Sequence, residues 1–201
     1  YVIYNGNPMT DTAIDDGFVP SFKPPRKYLF SIGQITGRKN FIALVKMLIH
    51  TPDYDLIIAG KNTTDTSEQL KAEAIKLGVT NRVHLIGNIS GEEKKYFFAH
   101  CEAFVFPSLR EGFGLPVIEA MLFGKPVFIS NNTSLPEVGG KEAVYWDHFE
   151  PKYMAEVLLL GVENFRSNKK TLAPRLIARA KKFSWETAAK QYTEVYKSLL
   201  K

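Results

Sequence analysis

Short apolar runs alternate with longer segments of helical periodicity along most of the chain. Apolar runs typical of buried strands lie near residues 28–33, 55–59, 83–86, 103–106, 126–130 and 143–145. The spacing of apolar residues predicts helices near residues 39–50, 66–77, 91–100, 115–123, 152–164, 171–182 and 185–200. This alternation is typical of βαβ units, whose strands form a parallel sheet covered by helices. The sequence therefore predicts an α/β fold: a doubly wound, Rossmann-like parallel sheet with a C-terminal helical extension.

The same pattern divides the chain into three parts. Residues 1–27 lack clean periodicity and are rich in Pro, Gly and Asp, so they are interpreted as a linker or an N-terminal remnant. Residues 28–168 alternate between strands and helices and predict one domain, and a chain of 201 residues can bury one substantial core. Residues 169–201 are predicted to form helices that pack on this domain.

The composition excludes several classes of protein. Hydrophobic residues make up 45% and charged residues 23% of the chain, which is ordinary for a soluble globular domain. No apolar run is long enough to span a bilayer and no signal peptide opens the chain, so we expect a cytoplasmic protein. The single cysteine, Cys101, excludes an internal disulfide and is interpreted as a small core residue.

The net charge of +5 is concentrated at the C-terminal end. From Lys169 onward the chain carries nine Lys and Arg residues against two acids, so this tail holds +7 and the remainder −2. Such a surface is either a solvated helix face or a contact site for anionic lipid headgroups, which would place the protein peripherally at the inner membrane face. We expect no nucleic-acid binding, because aromatic residues are not interleaved with the basic ones in a recognised pattern.

The strongest chemical signal lies in residues 107–126. Glu111 and Glu119 are eight positions apart, with glycines and Pro116 between them. Because the segment follows the apolar run 103–106, it predicts a strand, a Gly-rich turn and a helix that begins near its proline. Unpaired N–H groups at such a turn can bind an anion, and a nearby carboxylate can accept hydrogen bonds from hydroxyl groups. An anion together with a polyol suggests a sugar nucleotide.

This segment resembles the E-x7-E signature of retaining glycosyltransferases of the two-domain GT-B fold, family four, also called group 1. Other segments resemble the same family in the same order: residues 31–33, 37–40, 56–60, 82–87, 134–138 and 183–186. Together they cover roughly residues 28–201 and identify the chain as a C-terminal, donor-binding domain. Residues 2–6 resemble the strand and Asn-Gly turn that lead into the family's interdomain linker.

The resemblance implies a binding site for a nucleoside diphosphate sugar. Glu119 matches the residue that accepts hydrogen bonds from the ribose, and Glu111 matches the residue beside the transferred sugar. Lys39 matches the cation that stabilises the departing diphosphate, so Lys39 and Glu111 are the predicted catalytic residues. The loop at 86–88 would border the nucleobase, and the turn at 112–115 would offer main-chain N–H groups. The other predicted donor-binding residues are Gly33, Arg38, Ile86, Asn88, Gly112, Phe113, Gly114 and Leu115.

The activity implied by the resemblance is transfer of a hexose to a glycan or lipid-linked acceptor, with retention of anomeric configuration. No metal or other cofactor is expected, because fixed positive charge and N–H groups can stabilise the leaving group. The D-x-D pattern at 53–55 is interpreted as turn residues, and the four histidines as structural. The acceptor would be held by an N-terminal domain that this chain lacks, so the chain alone is expected to be inactive.

One position departs from the family pattern and leaves alternatives open. Gln34 stands where many members carry an arginine directly after the glycine of the first strand. The chain could therefore be a nucleotide-sugar binding module without catalysis. A nucleotide-sugar epimerase or a phosphorylase of the same fold fits less well. Epimerases of that fold lack the E-G-F-G-L-P sequence at 111–116, and the chain has no motif for a phosphorylase's cofactor lysine.

Overall fold

A parallel sheet forms the centre of the molecule. The structure, a computed structural model, describes residues 1–62 and 64–200. Within that part of the chain the strands are Tyr28–Ile32 (β1), Asp55–Ala59 (β2), Val83–Gly87 (β3), Ala103–Phe106 (β4), Val127–Ser130 (β5) and Val144–Trp146 (β6). Their order is β3-β2-β1-β4-β5-β6, and all neighbouring strands pair in parallel. The predicted doubly wound, Rossmann-like sheet is confirmed.

Helices cover both faces of this sheet. They are Phe41–Met47 (α1), Thr64–Lys76 (α2), Gly91–His100 (α3), Leu115–Leu122 (α4), Leu135–Gly139 (α5), Pro151–Ser167 (α6), Lys169–Ala180 (α7) and Trp185–Leu199 (α8). Helices α1, α2 and α6 bury their apolar residues on one face, and α3, α4 and α7 on the other. Successive strand residues serve opposite faces: Leu29 packs with the first set and Phe30 with the second. Burial on both faces explains why the strands are almost continuously apolar.

The helix predicted for residues 39–50 is interrupted. Gly37–Lys39 forms a 3₁₀ turn, and Asn40 then adopts a left-handed backbone with φ of 53° before α1 begins. Asparagine tolerates this conformation better than most residues, so the chain can change direction there. A second 3₁₀ turn, Leu48–His50, ends the segment. Helix α5 was not among the predicted helices, because five residues are too few to show helical periodicity.

Residues 1–27 form neither helix nor strand, so the strand suggested for residues 2–6 is absent. The segment is nevertheless fixed to the domain. The main-chain N–H of Asn7 donates to Phe183 O at 2.9 Å, and its side-chain Nδ2 donates to Ile118 O at 3.2 Å. These hydrogen bonds satisfy main-chain polar groups and tie the irregular segment to the domain. Its assignment as an interdomain linker stays a prediction.

The C-terminal helices pack on the domain unequally. Helix α7 lies against α4, where a Cβ on Gly124 would come within 3.2 Å of Ala173 Cβ. Helix α8 starts at Ser184, whose hydroxyl accepts from Thr187 N, and Ala188 is its buried residue. Residue 201, the last of the predicted extension, lies outside the described residues. None of the helices in the described part of the chain combines the length and hydrophobicity needed to cross a bilayer.

Cys101 lies at the end of α3 and is buried, as predicted for a core residue. Its Sγ donates to Phe98 O at 3.4 Å. Burial raises the pKa of this thiol to about 12, because the thiolate would lose its hydration. The thiol is therefore protonated and inert at neutral pH.

Gly60 and Gly78 provide a matched test of how closely the loops after β1 and β2 approach. Both have positive φ, +135° and +68°, so alanine is strained at either position. A Cβ on Gly60 would collide with the carbonyl oxygen of Gly33, whereas a Cβ on Gly78 meets nothing within 4 Å. We expect Gly78→Ala to lower the free energy of unfolding by about 1 kcal/mol, and Gly60→Ala by about 1–3 kcal/mol more. Urea unfolding followed by circular dichroism measures both, and equal losses would contradict the close approach.

Candidate functional site

The candidate site lies where the sheet reverses its strand order. Strands β1 and β4 are neighbours, and their crossover connections leave toward opposite sides of the sheet. In open α/β sheets a crevice forms at this point, outside the carboxyl ends of the strands. The loop after β1 carries Gly33, Arg38 and Lys39, and the loop after β4 carries Glu111. The sheet order therefore brings together residues that are 72 positions apart.

The Lys39–Glu111 ion pair is the centre of this site. Lys39 Nζ donates to Glu111 Oε1 at 2.6 Å, and each side chain is only 9% exposed. The ammonium also lies 4.5 Å from the centre of the Phe106 ring, a cation–π distance. A Cβ on Gly33 would stand 3.1 Å from Lys39 Cε, so glycine leaves room for the lysine stem. Two predicted catalytic residues are thus in direct contact.

Hydroxyl groups hold Glu111 in place. Ser108 Oγ donates to Glu111 Oε1 at 2.5 Å, and the main-chain N–H of Glu111 donates to Thr133 Oγ1 at 3.0 Å. Ser134 Oγ lies 3.1 Å from Glu111 O and 3.0 Å from Phe113 O. Ser108 thus bonds the carboxylate of Glu111, Thr133 bonds its main-chain amide, and Ser134 bonds its main-chain carbonyl. They are functional neighbours that the sequence interpretation missed.

Thr133 is strained. It has a φ of 50°, in the left-handed region that β-branched residues avoid. Such a conformation costs on the order of 1–3 kcal/mol and persists only where surrounding contacts impose it. In this conformation the Thr133 hydroxyl accepts the hydrogen bond from the Glu111 amide.

Arg38 lies at the rim of the site. Its Nη1 donates to Arg110 O at 2.7 Å and stands 3.7 Å from Glu111 Oε2. Half of its side chain is exposed, so solvent screens this charge more than that of Lys39. Gln34, one residue after Gly33, is exposed.

The Gly-rich turn at 112–115 directly follows Glu111 of the ion pair. Gly112 is exposed, whereas Gly114 is buried with a φ of +107°. A Cβ on Gly114 would come within 2.7 Å of Leu135 Cδ2, so only glycine fits. Gly114 is also the N-cap of α4 and offers no side-chain acceptor to the first turn that starts at Leu115. Pro116 has no N–H, and Val117 N donates to Gly114 O at 2.9 Å, so the N–H donors here come from the turn before Pro116, next to the partial positive charge of the helix start.

Glu119 lies further along α4 and is paired with a residue that the sequence interpretation did not select. Lys94, on α3, donates from Nζ to Glu119 Oε1 at 2.6 Å. Glu119 is 2% exposed, and its Oε2 has no hydrogen-bond partner among the described residues. The two predicted carboxylates thus hold different lysines rather than one common cation.

The predicted nucleobase loop at 86–88 lies at the end of β3, which includes its first two residues. Ile86 is partly buried against the core, Gly87 has a φ of 70°, and Asn88 is exposed. Gly60 N donates to Gly87 O at 2.6 Å, which ties this loop to the loop after β2. Parallel strands end at a common edge, so the loop shares this edge with Lys39, although β2 lies between β3 and β1.

The D-x-D pattern has another use. Asp55 is fully buried at the start of β2, where Oδ2 lies 3.0 Å from His84 Nε2 and Oδ1 lies 3.6 Å from Arg26 Nη1. It therefore joins β2 to β3 at the edge opposite the candidate site. Among the described residues, no cluster of three His, Cys, Asp or Glu side chains could hold a metal ion.

The arrangement can bind a group that carries both an anion and hydroxyls. Lys39 and the start of α4 offer positive charge and N–H donors, and an anion that enters can take over part of the hydrogen bonding that Lys39 now gives to Glu111. Glu111 and Glu119 are acceptors for hydroxyl groups.

A double-mutant cycle tests whether the buried pair stabilises the site. Glu111→Gln should lower the free energy of unfolding by about 3 kcal/mol, because it leaves the Lys39 ammonium buried without a counter-charge. Lys39→Met/Glu111→Gln should recover part of that loss. The control is Lys71–Glu68 on α2, at a similar 2.8 Å but 56% and 65% exposed, for which we expect less than about 1 kcal/mol. Chemical denaturation gives the coupling energies of both pairs. A coupling energy for Lys39–Glu111 no larger than that for Lys71–Glu68 would show that the buried pair does not stabilise the site.

Comparison with known proteins identifies the family. The family model described as "Glycosyl transferases group 1" matches residues 15–183. The chain is 34% identical over 179 residues to the O-antigen chain mannosyltransferase B of Escherichia coli, covering 86% of this chain and 46% of that protein. It is 30% identical over 182 residues to the serotype-specific mannosyltransferase WbdA of Escherichia coli, covering 88% of this chain and 22% of that protein.

A solved structure shares the fold. The crystal structure of Anabaena Alr3699/HepE in complex with UDP and glucose superposes with a TM-score of 0.75 at 22% identity. The superposition covers 86% of this chain and 48% of that chain. The chain thus spans half or less of the length of these relatives. Since the family model covers most of its residues, the chain belongs to the group 1 glycosyltransferases.

Proposed function

We propose that this chain is the donor-binding half of a retaining glycosyltransferase. The enzyme would move a hexose from a nucleoside diphosphate sugar to a glycan or lipid-linked acceptor. The observation that carries this proposal is the buried Lys39–Glu111 pair beside the start of α4, at the switch point of the sheet. A cation, main-chain N–H groups of the Gly-rich turn and a hydroxyl acceptor would meet there within one crevice.

The diphosphate would bind to Lys39 and the Gly-rich turn. In the free protein the ammonium is already desolvated and held by Glu111, so it need not lose water when the ligand enters. Gly112 is exposed and a Cβ there would meet nothing within 4 Å, so a phosphate oxygen can approach the main chain closely at this residue. As the bond to the sugar breaks, charge grows on the diphosphate, and these donors stabilise it without a metal ion. Arg38 at the rim would add a weaker, solvent-screened attraction.

Glu111 would position the transferred sugar. Ser108 and Thr133 hold its carboxylate and amide, so the carboxylate has a fixed direction. A carboxylate so held can accept hydrogen bonds from sugar hydroxyls. We assign it a positioning role on the donor and not that of a nucleophile, because Lys39 and Ser108 already occupy one of its oxygens.

Mannose is the first sugar to test. The relatives named above are mannosyltransferases, which supports mannose as the transferred hexose. A structural neighbour was crystallised with UDP and glucose, and a further relative is named for GDP-mannose, so both uridine and guanosine diphosphates belong in the screen. The acceptor would be bound by the remaining half of the enzyme, since this chain spans 46% of mannosyltransferase B.

Donor binding provides the direct test. Isothermal titration with nucleoside diphosphates and their sugars should show binding to the wild-type chain. Lys39→Ala should weaken that binding by about 1.5–3 kcal/mol, the range for a hydrogen bond to a charged group. Lys46→Ala is the matched control: it also removes one lysine next to α1, but its side chain is 46% exposed and points to Glu73. Unchanged affinity in Lys39→Ala, or an equal loss in the control, would remove Lys39 from the site.

A nucleotide-sugar binding module without catalysis is the second candidate. The exposed Gln34, where many relatives carry arginine, favours it because one cation is missing from the diphosphate site. Both candidates predict donor binding, so a transfer assay separates them. With the other half of its enzyme attached, the chain should release nucleoside diphosphate in an acceptor-dependent way if the first proposal holds.

We also propose peripheral contact with anionic membranes through the basic C-terminal helices. Four exposed cations of these helices make no side-chain hydrogen bond or ion pair among the described residues: Lys169, Lys170, Lys181 and Lys182. Arg179 differs, since its Nε donates to Val138 O at 3.1 Å and helps to hold α7 in place. Charge of this kind attracts acidic headgroups by about 1 kcal/mol per residue at the surface.

Co-sedimentation with vesicles tests this contact. Vesicles containing phosphatidylglycerol should retain the chain at low salt and release it at about 0.5 M salt, where the Debye length is only a few ångströms. Lys181→Gln/Lys182→Gln should reduce retention, whereas Lys71→Gln/Lys76→Gln, two exposed lysines of α2, should not. Electrostatic attachment would be contradicted if retention of the chain on the vesicles did not depend on salt, or if it fell equally in both variants.

A further inference from the structure

Glu119 is a buried acceptor that is only half satisfied. Its Oε1 accepts from Lys94 Nζ at 2.6 Å, whereas Oε2 has no partner among the described residues and no access to solvent. A buried carboxylate oxygen without a donor is costly, so this position favours any ligand that brings one. Hydroxyl groups are suitable donors, because they need no second charge next to the pair.

Lys94 is presented from a rigid turn. Helix α3 begins with a capping box, in which Ser90 Oγ accepts from Glu93 N at 3.1 Å and Glu93 Oε2 accepts from Ser90 N at 2.9 Å. Lys94 N then donates to Ser90 O at 3.0 Å. The capping box satisfies the first N–H groups of the helix and fixes its start. The lysine therefore reaches Glu119 from a backbone that does not move freely.

The charge of Lys94 has a specific effect on Glu119. An ammonium on Oε1 compensates the buried negative charge and fixes the rotation of the carboxylate, which leaves Oε2 as the open acceptor. Lys94 itself is 26% exposed and has two more N–H donors. A carboxylate oxygen next to spare ammonium donors is suited to two neighbouring hydroxyls, each of which can donate or accept.

We propose that Lys94 is a positioning residue that orients Glu119 toward the ribose hydroxyls of the donor nucleotide. Through Glu119 it makes the site discriminate between ribose and sugars that lack those hydroxyls. This inference rests on the proposed donor site. It assigns to Lys94 a contribution to ligand choice, beyond the stability that any ion pair between α3 and α4 would give.

The readout is a ratio of affinities. GDP and UDP are titrated against their 2′,3′-dideoxy analogues, first with the wild-type chain. Wild type should bind the ribose form about tenfold more tightly, as expected for a hydrogen bond to a charged acceptor. Lys94→Met keeps much of the apolar stem and removes the charge. It should weaken the ribose form about tenfold and the dideoxy form by less than about twofold, so the ratio falls toward one.

Three further variants separate positioning from folding. Lys95→Met is the matched control: Lys95 is the next residue of α3 but pairs with Asp11 and Glu92 rather than with Glu119, so the ratio should stay at the wild-type value. Lys94→Arg retains the charge and should restore most of the ratio. Lys94→Met/Glu119→Gln removes both charges, which avoids a lone buried carboxylate, and this folded variant should also show a ratio near one.

Each outcome decides the inference. If Lys94→Met weakens the binding of both ligands equally, or of neither, the inference is overturned, because a purely structural ion pair would behave in that way. A wild-type ratio near one overturns it as well, while diphosphate binding that depends on Lys39 would leave the proposed function standing. If the wild-type chain binds no nucleoside diphosphate at all, the proposed function and this inference both fail.

Discussion

The site depends on one electrostatic constraint: a lysine and a glutamate are kept out of water at the point where the strand order of the sheet reverses. Neither Lys39 nor Glu111 could be buried alone, because each charge would lose its hydration without compensation. The strand order brings them together, since β1 and β4 are neighbours in space while their loops are far apart in sequence. Ligand binding is thus an exchange of partners at a site that is already desolvated.

The sequence predicted most of the fold because the sheet is parallel and covered on both faces. Its strands must then be nearly all apolar, and such runs are easy to recognise. The helix predicted over 39–50 was wrong at its start, since the left-handed turn at Asn40 depends on the loop that it closes. Helix α5 is too short to leave a periodic signal.

The candidate site was predictable only in part. Glu111, Glu119 and the glycines belong to one continuous segment, so their pattern is visible in the sequence. Ser108 and Thr133 reach Glu111 from two different strand ends, and their roles appear only when β4 and β5 are paired. Lys94 was missed for a similar reason: a lysine in the first turns of a helix looks solvent-exposed until α4 is placed beside it. Hydroxyl residues directly after buried strands would have been a useful additional signal.

The left-handed backbone of Thr133 has a consequence for how the site can change shape. Its hydroxyl occupies the amide of Glu111, and its torsion is held at an unfavourable value. If Thr133 relaxed to a negative φ, the lost hydrogen bond would be offset in part by relief of that torsional strain. The Glu111 amide would then be free to donate to an incoming oxygen. An oxygen atom of a ligand could therefore bond this amide only in competition with the Thr133 hydroxyl.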